Sequence, residues 1–275
     1  MNRRRWIVGA CGALTASAYP AYFEPRNFEL TSNSLTFGLS ARKPVRILHL
    51  TDFHASQFVS MDMIENAIDL GLAQKPDLIC LTGDFITFQS GFDEYHYVAL
   101  LRRLSNAAPT FAVLGNHDGC QWAVKHGGFA DHSVVEGILA KSGISLLHNR
   151  AEDVRLNGSE FALVGVADLW SEEINAQAAF LKTSRGKPTI LLAHNPDSKD
   201  ALKGYPWNVM LSGHTHGGQV IVPFKGACFA PVKDHRFIAG LKRWGDRQIF
   251  VNRGVGNLGG VRFECRPEVS ILTLV

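Results

Sequence analysis

The stretch Val209-Met210-Leu211-Ser212-Gly213-His214-Thr215-His216-Gly217-Gly218 governs how the chain is read. A short apolar run, the length of a buried strand, breaks into a glycine-rich turn that carries two imidazoles two residues apart. Paired histidines at such a strand end are a common way to aim ring nitrogens at a metal. An ordinary solvated turn would read the same, so the question is whether other strands end alike.

Four others do. Val45-Arg46-Ile47-Leu48-His49-Leu50 runs into Thr51-Asp52-Phe53-His54, and Leu78-Ile79-Cys80-Leu81-Thr82 into Gly83-Asp84. The run from Thr110 to Leu114 ends in Gly115-Asn116-His117-Asp118, and Thr189-Ile190-Leu191-Leu192-Ala193 ends in His194-Asn195-Pro196-Asp197. Helical patterns separate the first of these. Ile64, Ala67, Ile68, Gly71 and Leu72 fall on one face of a helix expected over 61–73, with Asp62 and Glu65 spaced as a capping box. A second helix is expected over 95–104. Strands alternating with helices imply parallel pairing, and open α/β sheets place their sites beyond the carboxyl ends of the strands.

Outside these runs the expectations are coarser. Residues 24–44 read as a polar lead-in with one strand near 34–39. Residues 85–92 are apolar for a segment leaving a polar site; they read as core or lid packing, or as a greasy wall that receives an acyl chain. The loop after Asp118, through Trp122, Lys125, His126, Gly127 and Gly128, has the length and composition of a lid. Residues 131–142 read as helix. Residues 144–147, 153–156 and 161–166 read as strands of a second, antiparallel-containing sheet, with Asn157-Gly158 as a hairpin turn. Residues 174–182 read as helix.

The chain has 275 residues, 46% hydrophobic and 19% charged, enough to bury a substantial core in one large domain or two small ones. A net charge of +3 with no basic, aromatic-interleaved stretch gives no reason to expect nucleic acid. Five cysteines (Cys11, Cys80, Cys120, Cys228, Cys265) form no CxxC pair, which excludes a zinc ribbon and does not suggest a disulfide framework. Most read as small buried apolar residues, with Cys120, two residues after Asp118, as the one placed near a candidate site. Residues 1–23 stand apart from the domain expected over 24–275. Arg3-Arg4-Arg5-Trp6-Ile7, a short apolar run and Ala16-Ser17-Ala18 match an export signal, compatible with the twin-Arg type. Trp6, Tyr19, Tyr22 and Phe23 equally suit an interfacial anchor, and a plain tail is a third reading. The apolar run is shorter than the ~20 residues of a spanning helix. An inner-membrane-associated protein is expected, with the face of the membrane left open.

Taken together, the motifs resemble the calcineurin-like metallophosphoesterase superfamily, whose pattern reads D-x-H, G-D, G-N-H-D/E, H and G-H-x-H. Here it stands as Asp52-Phe53-His54, Gly83-Asp84, Gly115-Asn116-His117-Asp118, His194 and Gly213-His214-Thr215-His216, across residues 45–260. Within the superfamily it is similar to the bacterial YaeI/YkuE type of phosphodiesterase, through 192–199, Pro206-Trp207 and Arg253-Gly254-Val255-Gly256, a group related to UDP-2,3-diacylglucosamine hydrolases of lipid A synthesis. The resemblance implies an α/β fold, a four-layer α-β-β-α sandwich of two mixed sheets. It implies two divalent metal ions, one held by Asp52, His54, Asp84 and His216, the other by Asp84, Asn116, His194 and His214. Mixed O and N donors without thiolate suit Mn, Fe or Zn, with Mn favoured here. The two ions clamp a phosphate and activate a water between them. Asp84 is expected to offer one oxygen to each. His117 is implied as general acid, with Asp118 orienting it and keeping it protonated. Asn195, Lys199 and Arg253 are further candidates for substrate contact, although Arg253 reads equally as structural. The expected activity is hydrolysis of phosphodiester or pyrophosphate bonds in a phosphorylated small molecule or lipid-linked substrate, such as UDP-2,3-diacylglucosamine. An exported envelope phosphodiesterase is the alternative, and a non-catalytic metal-binding envelope protein the remaining one.

Overall fold

A computed structural model of the chain describes residues 19–38, 43–183 and 186–275. The basic leader through Ala18, with Cys11, lies outside the described residues. In chain order the strands are β1 (Glu29–Leu35), β2 (Val45–Leu50), β3 (Leu78–Thr82), β4 (Thr110–Val113), β5 (Ser145–Leu146), β6 (Arg150–Leu156), β7 (Ser159–Gly165), β8 (Thr189–Leu192), β9 (Val209–Ser212), β10 (Ile221–Val222), β11 (Gly226–Ala227), β12 (Gly240–Trp244), β13 (Arg247–Val251) and β14 (Glu268–Leu274).

They make two six-stranded mixed sheets, ordered β1-β14-β2-β3-β4-β5 and β12-β13-β9-β8-β7-β6, plus the small hairpin β10-β11. In the first sheet only β14 and β2 pair antiparallel. In the second, both outer pairs are antiparallel and the centre β13-β9-β8-β7 is parallel. The facing sides of the sheets share one core, where Ile47, Leu78, Cys80 and Val113 meet Phe161, Leu163, Ile190, Leu211 and Phe250. The outer side of the first sheet, with Leu48, Leu50, Ile79 and Leu81, packs on the helices Met61–Leu72, Glu94–Ala107 and Ser133–Lys141. The outer side of the second, with Val164, Leu191, Met210 and Ile249, lies under the helix Ala176–Phe180, Leu202, Trp207 and Phe237. This is the expected four-layer sandwich. Strands β3, β8 and β9 are buried on both faces, which is why they read as unbroken apolar runs.

Several details differ from the sequence expectation. Residues 145–146 pair parallel with β4, so this short strand closes the first sheet and does not begin the second. The first strand starts at Glu29, earlier than expected, because it follows β14 residue for residue. The helix Met61–Leu72 is capped by Ser60, whose hydroxyl accepts the Met63 N–H, so Asp62 and Glu65 are not its box. The helix expected over 174–182 shrinks to Ala176–Phe180, capped by Asn175. Among the described residues no helix is long and apolar enough to cross a membrane.

Candidate metal centre

The strand ends converge. Asp52 and His54 follow β2, Asp84 follows β3, Asn116 and His117 follow β4, His194 follows β8, and His214 and His216 follow β9. All are buried. The Asp52 N–H donates to the Gly83 carbonyl and the His54 N–H to the Asp84 carbonyl, 2.9 Å each, so the first two turns are knitted together beyond their strands. Asp52, His54, Asp84, His214 and His216 have left-handed backbone angles, with φ of 52°, 49°, 54°, 71° and 50°. That conformation costs a non-glycine residue about 1–2 kcal/mol. Such a concentration of strain belongs to functional sites, where surrounding structure over-determines the backbone.

Donor atoms gather in two groups that share one carboxylate. His54 Nε2 lies 3.1 Å from His216 Nε2, and Asp52 Oδ1 lies 3.5 Å from His216 Nε2. His194 Nε2 lies 3.1 Å from His214 Nδ1 and 3.2 Å from Asn116 Oδ1. Asp84 Oδ2 stands between the groups, 3.3 Å from both His54 Nε2 and His194 Nε2. Ligands around one ion at ~2.1 Å sit about 3.0–3.4 Å apart in octahedral or tetrahedral geometry, so each group has the spacing of a coordination shell. Three of the four other ring nitrogens support the same fit, while His216 Nδ1 has no hydrogen-bond partner among the described residues. His54 Nδ1 pairs with the Thr87 hydroxyl (2.9 Å), His194 Nδ1 with the Thr82 carbonyl (2.7 Å) and His214 Nε2 with the Pro231 carbonyl (3.1 Å). Each bond orients its ring with the opposite nitrogen toward the cluster, as metal-ligating histidines do. The residues therefore fit two divalent cations, which when bound would neutralise phosphate charge and activate a water for in-line attack.

Asp84 differs from the expected arrangement. Its Oδ1 accepts the His117 N–H at 2.9 Å, and Oδ2 alone faces both histidine groups. A close glycine approach confines this carboxylate, and another confines that of Asp52. A Cβ on Gly115 would lie 2.2 Å from Asp84 Oδ1, and one on Gly213 would lie 2.1 Å from Asp52 Oδ2, so only glycine admits these carboxylates. Asp118 also differs. Its carboxylate accepts the N–H groups of Asp84 (2.8 Å), Phe85 (2.6 Å) and Gly115 (2.8 Å) and makes no hydrogen bond to the His117 ring. It braces the turn that carries Asp84. Burial first, then the charge of Asp84, push the Asp118 carboxyl up.

Electrostatics follow from burial. Desolvation lowers His214 to about 3 and His117 to about 4, a direction opposite to the protonated His117 that the resemblance implies. Burial opposes the charged forms of Asp84 and His194 too. Their mutual attraction outweighs it, and Asp84 sits well below the ordinary carboxylate range while His194 sits well above the ordinary imidazole range.

The cluster floors a cavity of about 790 Å³. His117 is in its wall, edge-on to Trp122 (4.8 Å between ring centres). Trp170 packs edge-on against His214 at 4.4 Å and lies 5.2 Å from Trp122. Of the apolar 85–92 segment, Phe88 reaches the cavity, whereas Phe85 and Ile86 are core residues. The expected lid loop supplies Trp122 and His126, stacked at 3.8 Å.

The remaining substrate-contact candidates lie elsewhere. Arg253 is spent on Glu268 (3.1 Å) and Glu29 (2.9 Å), which makes it a sheet-edge brace. Lys199 is buried between Asp197 and Asp200 over the Phe237 ring. Asn195 is buried and accepts the Asp197 N–H. Sequence reasoning missed Asp168 and Trp170, which follow β7 as the ligands follow their strands. Burial raises Asp168 to about 6. It also missed Arg262. This wholly buried guanidinium has no carboxylate partner among the described residues and donates to the carbonyls of Arg253 (2.7 Å), Gly256 (2.6 Å) and Cys265 (3.0 Å), with the His216 carbonyl at 3.4 Å. Its own backbone N–H donates to the Pro20 carbonyl at 2.8 Å.

A two-sheet sandwich with a shared carboxylate between two imidazole groups defines a metal-dependent phosphoesterase. Residues 45–218 match the calcineurin-like phosphoesterase family, and the chain belongs to it. It is 41% identical to Phosphodiesterase YaeI of Escherichia coli over 278 residues, covering the whole of both chains. It is 30% identical to the metallophosphoesterase YkuE of Bacillus subtilis, covering the whole of this chain and 98% of the other. It is 26% identical to the UDP-2,3-diacylglucosamine pyrophosphatase LpxG of Chlamydia muridarum, covering 83% of each. The protein is a hydrolase of phosphoester bonds.

Proposed function

We propose that the protein hydrolyses a phosphodiester or pyrophosphate bond in a lipid-bearing substrate at a membrane surface, using a pair of divalent cations with manganese preferred. One observation carries this reading: the polar cluster is the floor of a cavity whose walls are greasy. Phe58, Phe88, Trp122, Trp170, Phe229 and Leu258 line it, and Phe58, Phe229 and Leu258 are exposed at its mouth. A small hydrophilic diester needs no such wall, whereas an acyl chain leaving a bilayer is matched by it. The exposed aromatics Tyr19, Tyr22 and Phe23, just after the leader, suit an interface. The nucleotide-linked diacylglucosamine named for LpxG is the substrate that joins a pyrophosphate to acyl chains, and it is our first choice.

In this reading Asp52, His54, Asp84 and His216 hold one cation and Asp84, Asn116, His194 and His214 the other. His117 contacts the phosphate from the wall. A substrate anion beside its ring favours the protonated form, which can then protonate the leaving oxygen. The test compares kcat/KM for bis-p-nitrophenyl phosphate with that for UDP-2,3-diacylglucosamine in mixed micelles, in native chain and in Trp122→Ala. The substitution should lower kcat/KM for the acylated substrate about fivefold or more and leave the aryl diester within about twofold, since each well-packed aromatic contact contributes about 1 kcal/mol. Equal losses on both substrates refute the lipid assignment. The stretch Arg3-Arg4-Arg5-Trp6-Ile7, compatible with a twin-Arg signal, supports a second reading, an envelope phosphodiesterase. A C-terminal reporter active only outside the cytoplasm decides between them, and signal from it rules out the cytoplasmic nucleotide.

A further inference from the structure

Away from the cavity floor, His132, His148 and Glu173 form a second convergent donor set. His132 Nε2 lies 2.8 Å from Glu173 Oε2, His148 Nε2 lies 3.8 Å from the same oxygen, and one donor atom from each of the three residues falls within a mutual 4.8 Å. The imidazole centres are 5.5 Å apart at 54°, so the rings are splayed around the carboxylate and not stacked on each other. Their Nδ1 atoms are buried and have no hydrogen-bond partner among the described residues. Both rings nevertheless turn Nε2 to one place, the Glu173 carboxylate. A lone histidine–glutamate hydrogen bond needs one imidazole; here two are brought to one carboxylate.

The backbone around the three residues is prepared in the same manner. Asn149, directly after His148, has φ of 52° and donates from its amide to the Glu173 carbonyl at 2.8 Å. Its Oδ1 accepts the N–H groups of Ala167 (3.1 Å) and Asn175 (3.0 Å), so the segment carrying Glu173 is stitched to the segment carrying His148. Glu172 also has a left-handed φ, 63°. On the other side, Gly119 packs against the backbone at Asp131 and His132 so closely that a Cβ there would lie 2.7 Å from the His132 nitrogen. The side chains are 13%, 31% and 45% exposed for His132, His148 and Glu173, which leaves a position open to water beside a half-sheltered donor set.

We propose that His132, His148 and Glu173 bind a third metal ion, with zinc as the cation that two imidazoles and a carboxylate suit best. The ion is structural. His148 lies in the crossing from β5 of the first sheet to β6 of the second. His132 ends the loop that carries Trp122 and His126, and Glu173 follows Trp170 by three residues. One cation therefore fastens both aromatic wall loops to the joint between the sheets and fixes the Trp122–Trp170 pair over the active centre. Metal content, independent of turnover, reads this out.

The full-length chain, stripped by chelation and then dialysed to equilibrium against micromolar free Zn²⁺, should hold three zinc ions. His148→Ala and Glu173→Gln should each hold one fewer. Asp84→Ala, which removes the shared ligand of the catalytic pair, should keep one ion, and Asp84→Ala combined with His148→Ala should keep none. If Asp84→Ala fails to fold, the difference between native chain and His148→Ala still reads the third site alone, and it does so whatever the catalytic pair holds. Native protein with no more zinc than His148→Ala, or Glu173→Gln with the native content, overturns the proposal.

Discussion

Replacing Gly115 by alanine tests the geometry on which the shared carboxylate depends. The residue lies outside the left-handed region, so its backbone accepts a side chain. The obstacle is Asp84: the new Cβ would lie 2.2 Å from Oδ1, 2.6 Å from the backbone nitrogen and 2.9 Å from Cγ. Real Cβ contacts essentially never fall below 3.0 Å. The carboxylate must therefore retreat by about 0.8 Å and, because the Asp84 backbone nitrogen is also too close, the turn must open. These movements loosen the His117 N–H on Oδ1 and the bonds that the Asp84 and Gly115 N–H groups donate to the Asp118 carboxylate. Overpacking of this kind costs about 1–3 kcal/mol, and a displacement near 1 Å in a catalytic group costs about a hundredfold in rate. We expect kcat/KM for bis-p-nitrophenyl phosphate with Mn²⁺ to fall about 100-fold. The melting temperature should fall by roughly 2–10 °C, and Mn²⁺ affinity should weaken. Gly137→Ala is the control: it lies in the helix Ser133–Lys141 with nothing within 4 Å of its would-be Cβ, so it should be neutral or stabilising. Native turnover and metal content in Gly115→Ala would show that Asp84 is not held as described.

In a His148→Ala background, Asp84→Ala should lose both catalytic cations together, read by metal analysis; retention of one there makes the carboxylate no bridge. His117→Ala should keep both and lose about 10²–10⁴ in kcat, and loss of metal would make it a ligand. Arg253→Met should leave KM for the aryl diester unchanged yet destabilise by roughly 1–3 kcal/mol in urea unfolding, because Glu29 and Glu268 lose their partner. A raised KM with native stability returns Arg253 to the substrate. His49, wholly buried beside Thr82 Oγ1, has its pKa lowered by desolvation to about 3. Between the unfolded value near 6.5 and this one, the unfolded chain binds a proton that the folded chain refuses. The metal-free protein should therefore lose stability as pH falls through that window, with up to about 1.4 kcal/mol per pH unit from this residue. His49→Gln should flatten the slope measured in urea by one proton; an unchanged slope removes His49 from the account.

The donor set was legible because each member stands directly after an apolar strand, where the residue pattern changes abruptly from buried to polar. Asp168 and Trp170 stand in the same relation to β7, but β7 shares its hairpin with β6 and reads from sequence as part of an antiparallel-containing sheet, with nothing to mark which neighbour it follows in parallel. Its parallel pairing with β8, which turns its end toward the site, has no local signal. Arg253 could not be classified without Glu29, 224 residues away, whose carboxylate consumes its charge. Likewise Asp118 follows His117 in sequence and invites a role at that ring, while its acceptors are claimed by backbone at 84, 85 and 115. The two-residue β5 is too short for a register to appear in residue type, so its sheet was assigned wrongly.

Arg262 sets a limit on how the amino terminus can be trimmed. Its guanidinium holds the carbonyls of the 253–256 turn and reaches that of His216, while its own N–H is closed by the Pro20 carbonyl and the neighbouring Cys265 N–H by the Glu24 carboxylate. Pro20 comes two residues after Ala16-Ser17-Ala18. A peptidase cutting at that box would leave the seam whole, whereas one cutting a few residues later would unseat the backbone behind a catalytic imidazole. The backbone at Pro20 and the carboxylate of Glu24 thus belong to the support of the metal centre, and removing them would reach the His216 imidazole through Arg262 and Cys265.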